Sequence, residues 1–234
     1  MDDLRRDWLA LLARHRAIAI VRSVDVATGV SMAKAAASGG FRLVEVAWNN
    51  NANPPQMMAA IRKVLPECTV GAGTVLDKAD LSEAIAAGAR FCFTPHVDVE
   101  LIAGAIARDI PMVAGAMTPT EILTAWRAGA ASVKVFPISA LGDANYIRSL
   151  RGPLNGIPLV PTGGVTSESA PEMLAAGAVA VGLSTALFPA AEVVSADWTA
   201  IEARSRYLLA LLAGAPYPAP LAARTAERSA ELAS

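Results

Sequence analysis

The chain has 234 residues, of which 54% are hydrophobic and only 5% aromatic, and its formal net charge is −1. This length suits one large α/β domain or two small ones, and a core of Ala, Val, Leu and Ile suits parallel strands covered by helices. A near-neutral chain with no basic run argues against a nucleic-acid surface, so any anionic ligand must be held by a few local groups.

Residues 2–16 read as an amphipathic helix that covers the floor of the fold ahead of a first strand at 17–21. The N-terminus lacks a secretory h-region and cleavage site, so a cytoplasmic protein is expected. A helix at 27–38 ends in Ser38-Gly-Gly40 and leads into strand two, which contains Leu43-Val-Glu-Val-Ala47. Helices at 54–65, 78–87, 97–108, 119–128, 143–151 and 167–176 then alternate with strands at 68–70, 90–93, 110–113, 131–135, 157–160 and 179–181. Four times a glycine closes an alanine-rich helix and opens a hydrophobic strand: at Gly40, Gly88, Gly129 and Gly177. Each is expected to be a left-handed helix cap followed by a short loop. Eight strands alternating with helices predict a single (β/α)8 TIM barrel over residues 1–213, with an extra N-terminal helix and a C-terminal helix at 196–213. An open doubly wound sheet is the alternative, but the turn after strand one reads Arg22-Ser-Val-Asp, without a dinucleotide fingerprint. Residues 214–234 read as a loosely ordered tail. The uncharged stretch 173–191 is rich in Ala and interrupted by Gly and Pro, so it reads as helix end, buried strand and turn rather than a membrane span.

In a barrel the outward face of each strand meets helices and the inward face lines the lumen. Val44 and Val46 point outward, so Glu45 points inward; Val133 and Val135 point outward, so Lys134 points inward. A buried lysine is costly, and desolvation lowers its pKa toward a neutral, nucleophilic amine. One lysine and one acid in a closed interior suit an amine nucleophile with a proton-shuttling carboxylate, whereas a purely structural buried ion pair is the bland alternative. Gly71-Ala-Gly-Thr74 ends strand three, where glycines allow close backbone approach to a ligand and Thr74 offers a hydroxyl. Pro95 and Phe136 end strands four and six and can wall the amine. Pro161-Thr-Gly-Gly-Val165 and Val181-Gly-Leu-Ser-Thr185 follow strands seven and eight, and Thr162, Gly163, Gly164, Gly182 and Ser184 there suit a phosphate cradle. Trp48 stands at the mouth, where it either lines the channel or packs between loops. Two histidines, His15 and His96, without a carboxylate cluster do not supply a metal site, and no cofactor is expected. Cys68 and Cys92 are expected in strands as reduced, buried thiols.

Residues 15–190 resemble the class I 2-keto-3-deoxy-6-phosphogluconate/galactonate and 4-hydroxy-2-oxoglutarate aldolases. The resemblance runs through the Leu-Val-Glu-Val core to Glu45, Val70-Gly-Ala-Gly-Thr-Val75, Thr94-Pro95-His96, Met117-Thr-Pro-Thr-Glu121, Val133-Lys-Val-Phe-Pro137 and Val160-Pro-Thr-Gly-Gly-Val165. It implies an imine on Lys134, proton transfer by Glu45, a pyruvyl pocket of Thr74, Pro95 and Phe136, and a phosphate held by Gly163, Gly164 and Ser184. It also implies that Arg22 meets an anionic group and that the enzyme is a cofactor-free trimer. Many gluconate-type members carry Arg four residues after the glutamate, but this chain has Asn49, as in the galactonate-type branch. An imine-dependent decarboxylase of oxaloacetate-like acids and a non-catalytic phosphometabolite-binding barrel are the alternative readings.

Overall fold

A computed structural model of the chain describes residues 2–50 and 53–214. The expected tail, apart from Gly214, and Asn51 of the asparagine run lie outside the described residues. Eight strands alternate with helices: α1 (Asp2–His15), β1 (Ala17–Val21), α2 (Val26–Ser38), β2 (Leu43–Ala47), α3 (Pro54–Val64), β3 (Thr69–Gly73), α4 (Lys78–Ala86), β4 (Cys92–Phe93) and α5 (Val99–Ile106). The order continues with β5 (Met112–Ala116), α6 (Pro119–Ala128), β6 (Ser132–Val135), α7 (Asp143–Arg151), β7 (Leu159–Pro161), α8 (Ser169–Ala175), β8 (Val181–Leu183), α9 (Ala190–Val194) and α10 (Trp198–Ala213). Single 3-10 turns occupy Trp48–Asn50 and Ile138–Leu141.

All pairings are parallel, in the order β7-β6-β5-β4-β3-β2-β1-β8, and a bridge between Thr162 and Gly182 joins the two ends. The chain is a (β/α)8 barrel with additional terminal helices. Sequence punctuation explains the spacing. Asp25, Asn53, Asp77, Asp98, Thr118 and Asp197 cap their helices with side-chain oxygens, and Thr118 forms a full capping box with Glu121. Such caps satisfy otherwise orphaned amides at each helix start. Gly40, Gly88, Gly129 and Gly177 all have φ between +94° and +114°, as their position after alanine-rich helices predicts.

Two apolar layers result. The outer one packs Val44, Val46, Val133 and Val135 against the helices. The inner one fills the lower lumen with Ile18, Leu43, Phe91, Phe93, Val113 and Val160, and α1 contributes Trp8 and Leu12 to it from below. The expected floor helix therefore plugs the barrel. Trp8 and Phe91 lie 5.0 Å apart by ring centroid, and Phe91 and Phe93 meet edge to face at 5.7 Å.

Several strands begin later than their hydrophobic runs suggest. Val179 and Ala180 pack into the inner layer before β8 starts, and the Val179 amide already donates to the Leu159 carbonyl of β7 at 3.0 Å. Cys92 is buried in β4 as expected, whereas Cys68 precedes β3 and is half-buried. The stretch 173–191 holds the end of α8, β8, a turn and the start of α9, and among the described residues no helix is long and apolar enough to cross a membrane.

Candidate active site

Parallel strands of a barrel direct their C-terminal ends to one face, and the expected site residues gather there. On β6, Ser132 and Lys134 share the inward face. Ser132 accepts a hydrogen bond from the Trp8 indole at 3.0 Å, which fixes the floor beneath the amine. Lys134 is 5% exposed, and its Nζ lies 4.5 Å from the Phe136 ring centroid and 5.9 Å from that of Phe93. In register it pairs with Gly115 of β5 and Val160 of β7. Glu45 of β2 is 2% exposed, and among the described residues its buried Oε2 has no hydrogen-bond partner.

Burial pushes the Lys134 amine below its ordinary range; the Glu45 charge opposes that shift and Arg22 adds to it. Burial likewise pushes the Glu45 carboxyl upward, against the opposing charges of Lys134 and Arg22. Both shifts favour the neutral forms, as expected for groups removed from water. The pair is coupled through space, and among the described residues no direct ion pair joins it.

The glycines around this pair serve neighbouring side chains. A Cβ on Gly73 would lie 1.6 Å from Glu45 Oε1, and one on Gly71 would lie 2.4 Å from the Phe91 ring. These two positions therefore make room for the acid and the floor, not for a ligand as the sequence reading expects. Gly115 has a related role: a Cβ there would meet the Pro95 carbonyl carbon at 2.4 Å. The chain after β4 thus folds across the lumen beside Lys134. Thr94 holds this bend, donating to the His96 carbonyl at 2.6 Å and accepting from the Gly115 amide at 3.2 Å. Pro95 and Phe136 are both half-buried here, Pro95 against Gly115 and Phe136 against the amine. Thr74 follows β3 half-buried with φ +59°, a left-handed backbone that a β-branched residue rarely adopts.

Opposite this wall, the loop after β7 carries Gly163 and Gly164 at φ +86° and +80°. The carbonyls of Thr162 and Gly163 accept the Ile138 and Ser139 amides of the loop after β6. In a trans peptide N–H and C=O point opposite ways, so the Gly163 and Gly164 amides face away from the β6 loop. Two consecutive amides so directed form an anion-binding concavity. Across the seam, Gly182 has no side chain where a Cβ would meet Thr162 Oγ1 at 2.7 Å, and half-buried Ser184 follows β8. Thr162 itself is buried, with its hydroxyl directed to the Val160 carbonyl, so it belongs to the seam.

At the rim Arg22 is exposed at the end of β1, and its Nη1 donates to Asn49 Oδ1 at 3.1 Å. Trp48 is buried and donates to Glu83 at 3.0 Å, so it packs between elements and does not line the channel. His96 is exposed. Sequence reasoning missed Trp8, Ser132 and Phe93 as the base of the site; the inward alternation of β6 and the aromatic content of α1 were the available signals. Among the described residues no cluster of metal-ligating side chains occurs.

Fold and site together define a (β/α)8 barrel with a lysine–acid pair buried at its C-terminal mouth. The chain belongs to the KDPG and KHG aldolase family, whose sequence model matches residues 10–204. It is therefore an aldolase, a carbon–carbon lyase. A 2-dehydro-3-deoxy-phosphogluconate aldolase of Pseudomonas aeruginosa is 33% identical over 195 residues, covering 82% of this chain and 86% of that protein. The 2-dehydro-3-deoxy-6-phosphogalactonate aldolase of Escherichia coli K12 is 31% identical over 178 residues, covering 76% of this chain and 86% of its own. Among solved structures, a native KDPGal structure superposes with a TM-score of 0.73 at 30% identity, covering 84% of this chain and 92% of the other.

Proposed function

We propose that this protein is a class I aldolase that cleaves 2-keto-3-deoxy-6-phospho sugar acids, of gluconate or galactonate type, to pyruvate and glyceraldehyde 3-phosphate, and that it also cleaves 4-hydroxy-2-oxoglutarate to pyruvate and glyoxylate. The observation that carries this reading is the buried Lys134–Glu45 pair standing on an aromatic floor. The neutral Lys134 amine attacks the C2 keto carbon, and the carbinolamine loses water to give an iminium. Loss of the C4 hydroxyl proton then breaks the C3–C4 bond. The aldehyde departs and the electron pair remains on the enamine. Protonation at C3 and hydrolysis release pyruvate and restore the amine. Glu45, with a pKa raised by burial, can both accept and return the proton. Pro95, Phe136 and Thr74 bound the pyruvyl group, and the Gly163 and Gly164 amides with Gly182 and Ser184 hold the far anion. The chemistry draws on these side chains and amides alone, with the barrel of residues 1–213 carrying all of it.

Borohydride reduction in the presence of pyruvate should attach a three-carbon adduct to Lys134, read by peptide mass spectrometry. A folded, pyruvate-saturated protein that takes no label at Lys134 would overturn the mechanism. Comparing kcat/KM across the three substrates then ranks them. Comparing turnover after Gly164→Ala separates this reading from simple decarboxylation of oxaloacetate-like acids, which does not use the far-anion loops. We further infer a cytoplasmic homotrimer, supported by the family resemblance and by likeness, at 26% identity, to a solved protein cage designed by fusing symmetric oligomeric domains. Light scattering should return about 72 kDa, three copies of the 24.1 kDa chain.

A further inference from the structure

Strand β4 holds two residues against five in its neighbour β5. Their ladder starts regularly, with the Cys92 amide donating to the Pro111 carbonyl at 2.9 Å and the Thr94 amide to the Val113 carbonyl at 3.1 Å. In a parallel ladder the following rung runs from the Gly115 amide to the Thr94 carbonyl. Here the Thr94 hydroxyl takes that rung, accepting from Gly115 at 3.2 Å while it donates to the His96 carbonyl at 2.6 Å. One hydroxyl can do both, and Thr94 is 1% exposed. The released carbonyl turns to the face of Gly115 that a side chain would occupy. A Cβ there would lie 2.6 Å from the Thr94 and Pro95 carbonyl oxygens and 2.4 Å from the Pro95 carbonyl carbon. Gly115 pairs in register with Lys134 and shares its inward face. The Thr94–Pro95 backbone therefore stands inside the lumen, level with the amine.

We propose that Thr94 is a positioning residue whose hydroxyl, by replacing its own carbonyl in the ladder, holds Pro95 in the lumen as a wall against C3 of the keto acid. This assignment rests on the reading of Lys134 as the imine-forming amine. The imine carbon carries a carboxylate on one side and C3 on the other. Two carbonyl oxygens and an apolar ring repel the carboxylate and accept the apolar carbon, so C3 faces the wall. The wall leaves C3 room for one substituent, the chain that leads to C4, and crowds a second. A site built this way selects 2-keto acids that are unsubstituted at C3 apart from that chain. Valine has the shape of threonine but neither accepts nor donates. In Thr94→Val the buried Gly115 amide regains a partner only when the Thr94 carbonyl swings back to the ladder, and that movement withdraws Pro95 from the lumen.

Pyruvate, 2-oxobutanoate and 3-methyl-2-oxobutanoate carry no, one and two methyl groups on C3. The half-saturating concentration of each is measured by borohydride trapping at Lys134 in wild type, Thr94→Val, Thr94→Ala and Thr94→Ser. A methyl group against a packed wall predicts that wild type needs about tenfold or more 3-methyl-2-oxobutanoate than 2-oxobutanoate. That ratio should narrow to about threefold or less in Thr94→Val and stay at the wild-type value in Thr94→Ser, which keeps the hydroxyl. Intrinsic differences between the acids cancel when the ratio is compared across variants. Thr94→Ala adds no bulk and carries the same prediction where Thr94→Val does not fold. A merely structural threonine would weaken trapping of all three acids alike. A ratio that is unmoved without the hydroxyl, or that narrows as far in Thr94→Ser, therefore overturns the assignment. So does a wild type that takes the two branched and unbranched acids equally well. Wild type unlabelled by pyruvate removes the imine reading, whereas labelled wild type with an unmoved ratio in the variants removes this assignment alone.

Discussion

A lysine and a glutamate were legible as a pair because each interrupts a strand whose valines alternate outward, and period-two alternation leaves one direction for the residue between them. Their coupling gives a signed pH prediction. The Glu45 charge raises the Lys134 pKa against the burial that lowers it. Removing that charge in Glu45→Gln should therefore lower the amine pKa further. The pH profile of borohydride trapping should shift toward acid while kcat falls by about 10²–10⁴, the span of a lost general acid–base group. A profile that stays in place, or moves toward alkali, would show that the two groups do not sense each other. Thr74 gives a second test at this scale. Its left-handed backbone costs about 1–3 kcal/mol and persists beside the lumen. Thr74→Gly should raise thermal stability by about 1 kcal/mol, since glycine accepts positive φ freely, while KM for the keto acid increases. Lower stability in that variant would mean the hydroxyl contributes more to folding than the strain costs. Gly73 was legible as a turn glycine but not as the space for Glu45, because the carboxylate that needs the room comes from the neighbouring strand.

Elements divide into those that hydrophobicity announces and those that only packing reveals. The C-terminal ends of four helices were legible from Gly40, Gly88, Gly129 and Gly177, since cap chemistry is local. Strand starts were not, because one cross-strand bond does not make a ladder: Phe91, Ala131 and Val179 are buried in the lower lumen and each share a backbone hydrogen bond with a neighbouring strand, yet they precede β4, β6 and β8. The helix α1 was expected on the floor, but its part in the site emerges from geometry. Trp8 bonds Ser132 two residues below Lys134, tilts against Phe91 and meets Phe93 edge to face. It thereby closes the lumen to water from beneath, which is the condition for a desolvated amine. Trp8→Ala should lower stability by about 3–5 kcal/mol, the range for deleting a buried aromatic. It should also let water toward the amine, so the trapping profile moves to higher pH, opposite in sign to Glu45→Gln. Equilibrium unfolding and the same pH series measure both effects. A destabilised variant with an unshifted profile would confine α1 to a structural role.

At the scale of the whole molecule the barrel assigns chemistry to one face and closure to the other. The residues of the site stand at the C-terminal ends of the strands, whereas α10 packs against α2 and α8, the helices next in sequence to the first and last strands. That packing depends on a close approach. A Cβ on Gly39, the C-cap of α2, would lie 2.2 Å from Ser205 Cβ and 2.7 Å from the Glu202 carbonyl oxygen of α10. Arg16 adds a hydrogen bond from the first αβ connection to the Leu212 carbonyl at 2.7 Å. The sequence shows Gly39 only as one member of Ser38-Gly-Gly40, and its neighbour Gly40 is the one that takes the left-handed cap. The need for Gly39 comes instead from a helix remote in sequence, which no local pattern encodes. Because the Glu202 carbonyl is backbone and cannot swing aside, the helices must separate to admit a methyl group, an overpacking cost of about 1–3 kcal/mol. For a chain of this size each kcal/mol moves the melting temperature by about 2–4 °C. Gly39→Ala should therefore melt earlier while kcat/KM and the pyruvate half-saturation at 25 °C stay at their wild-type values, because the strain sits on the face away from Lys134. Lost activity at an unchanged melting temperature would mean that the closure of the barrel reaches through the strands and sets the geometry of the mouth.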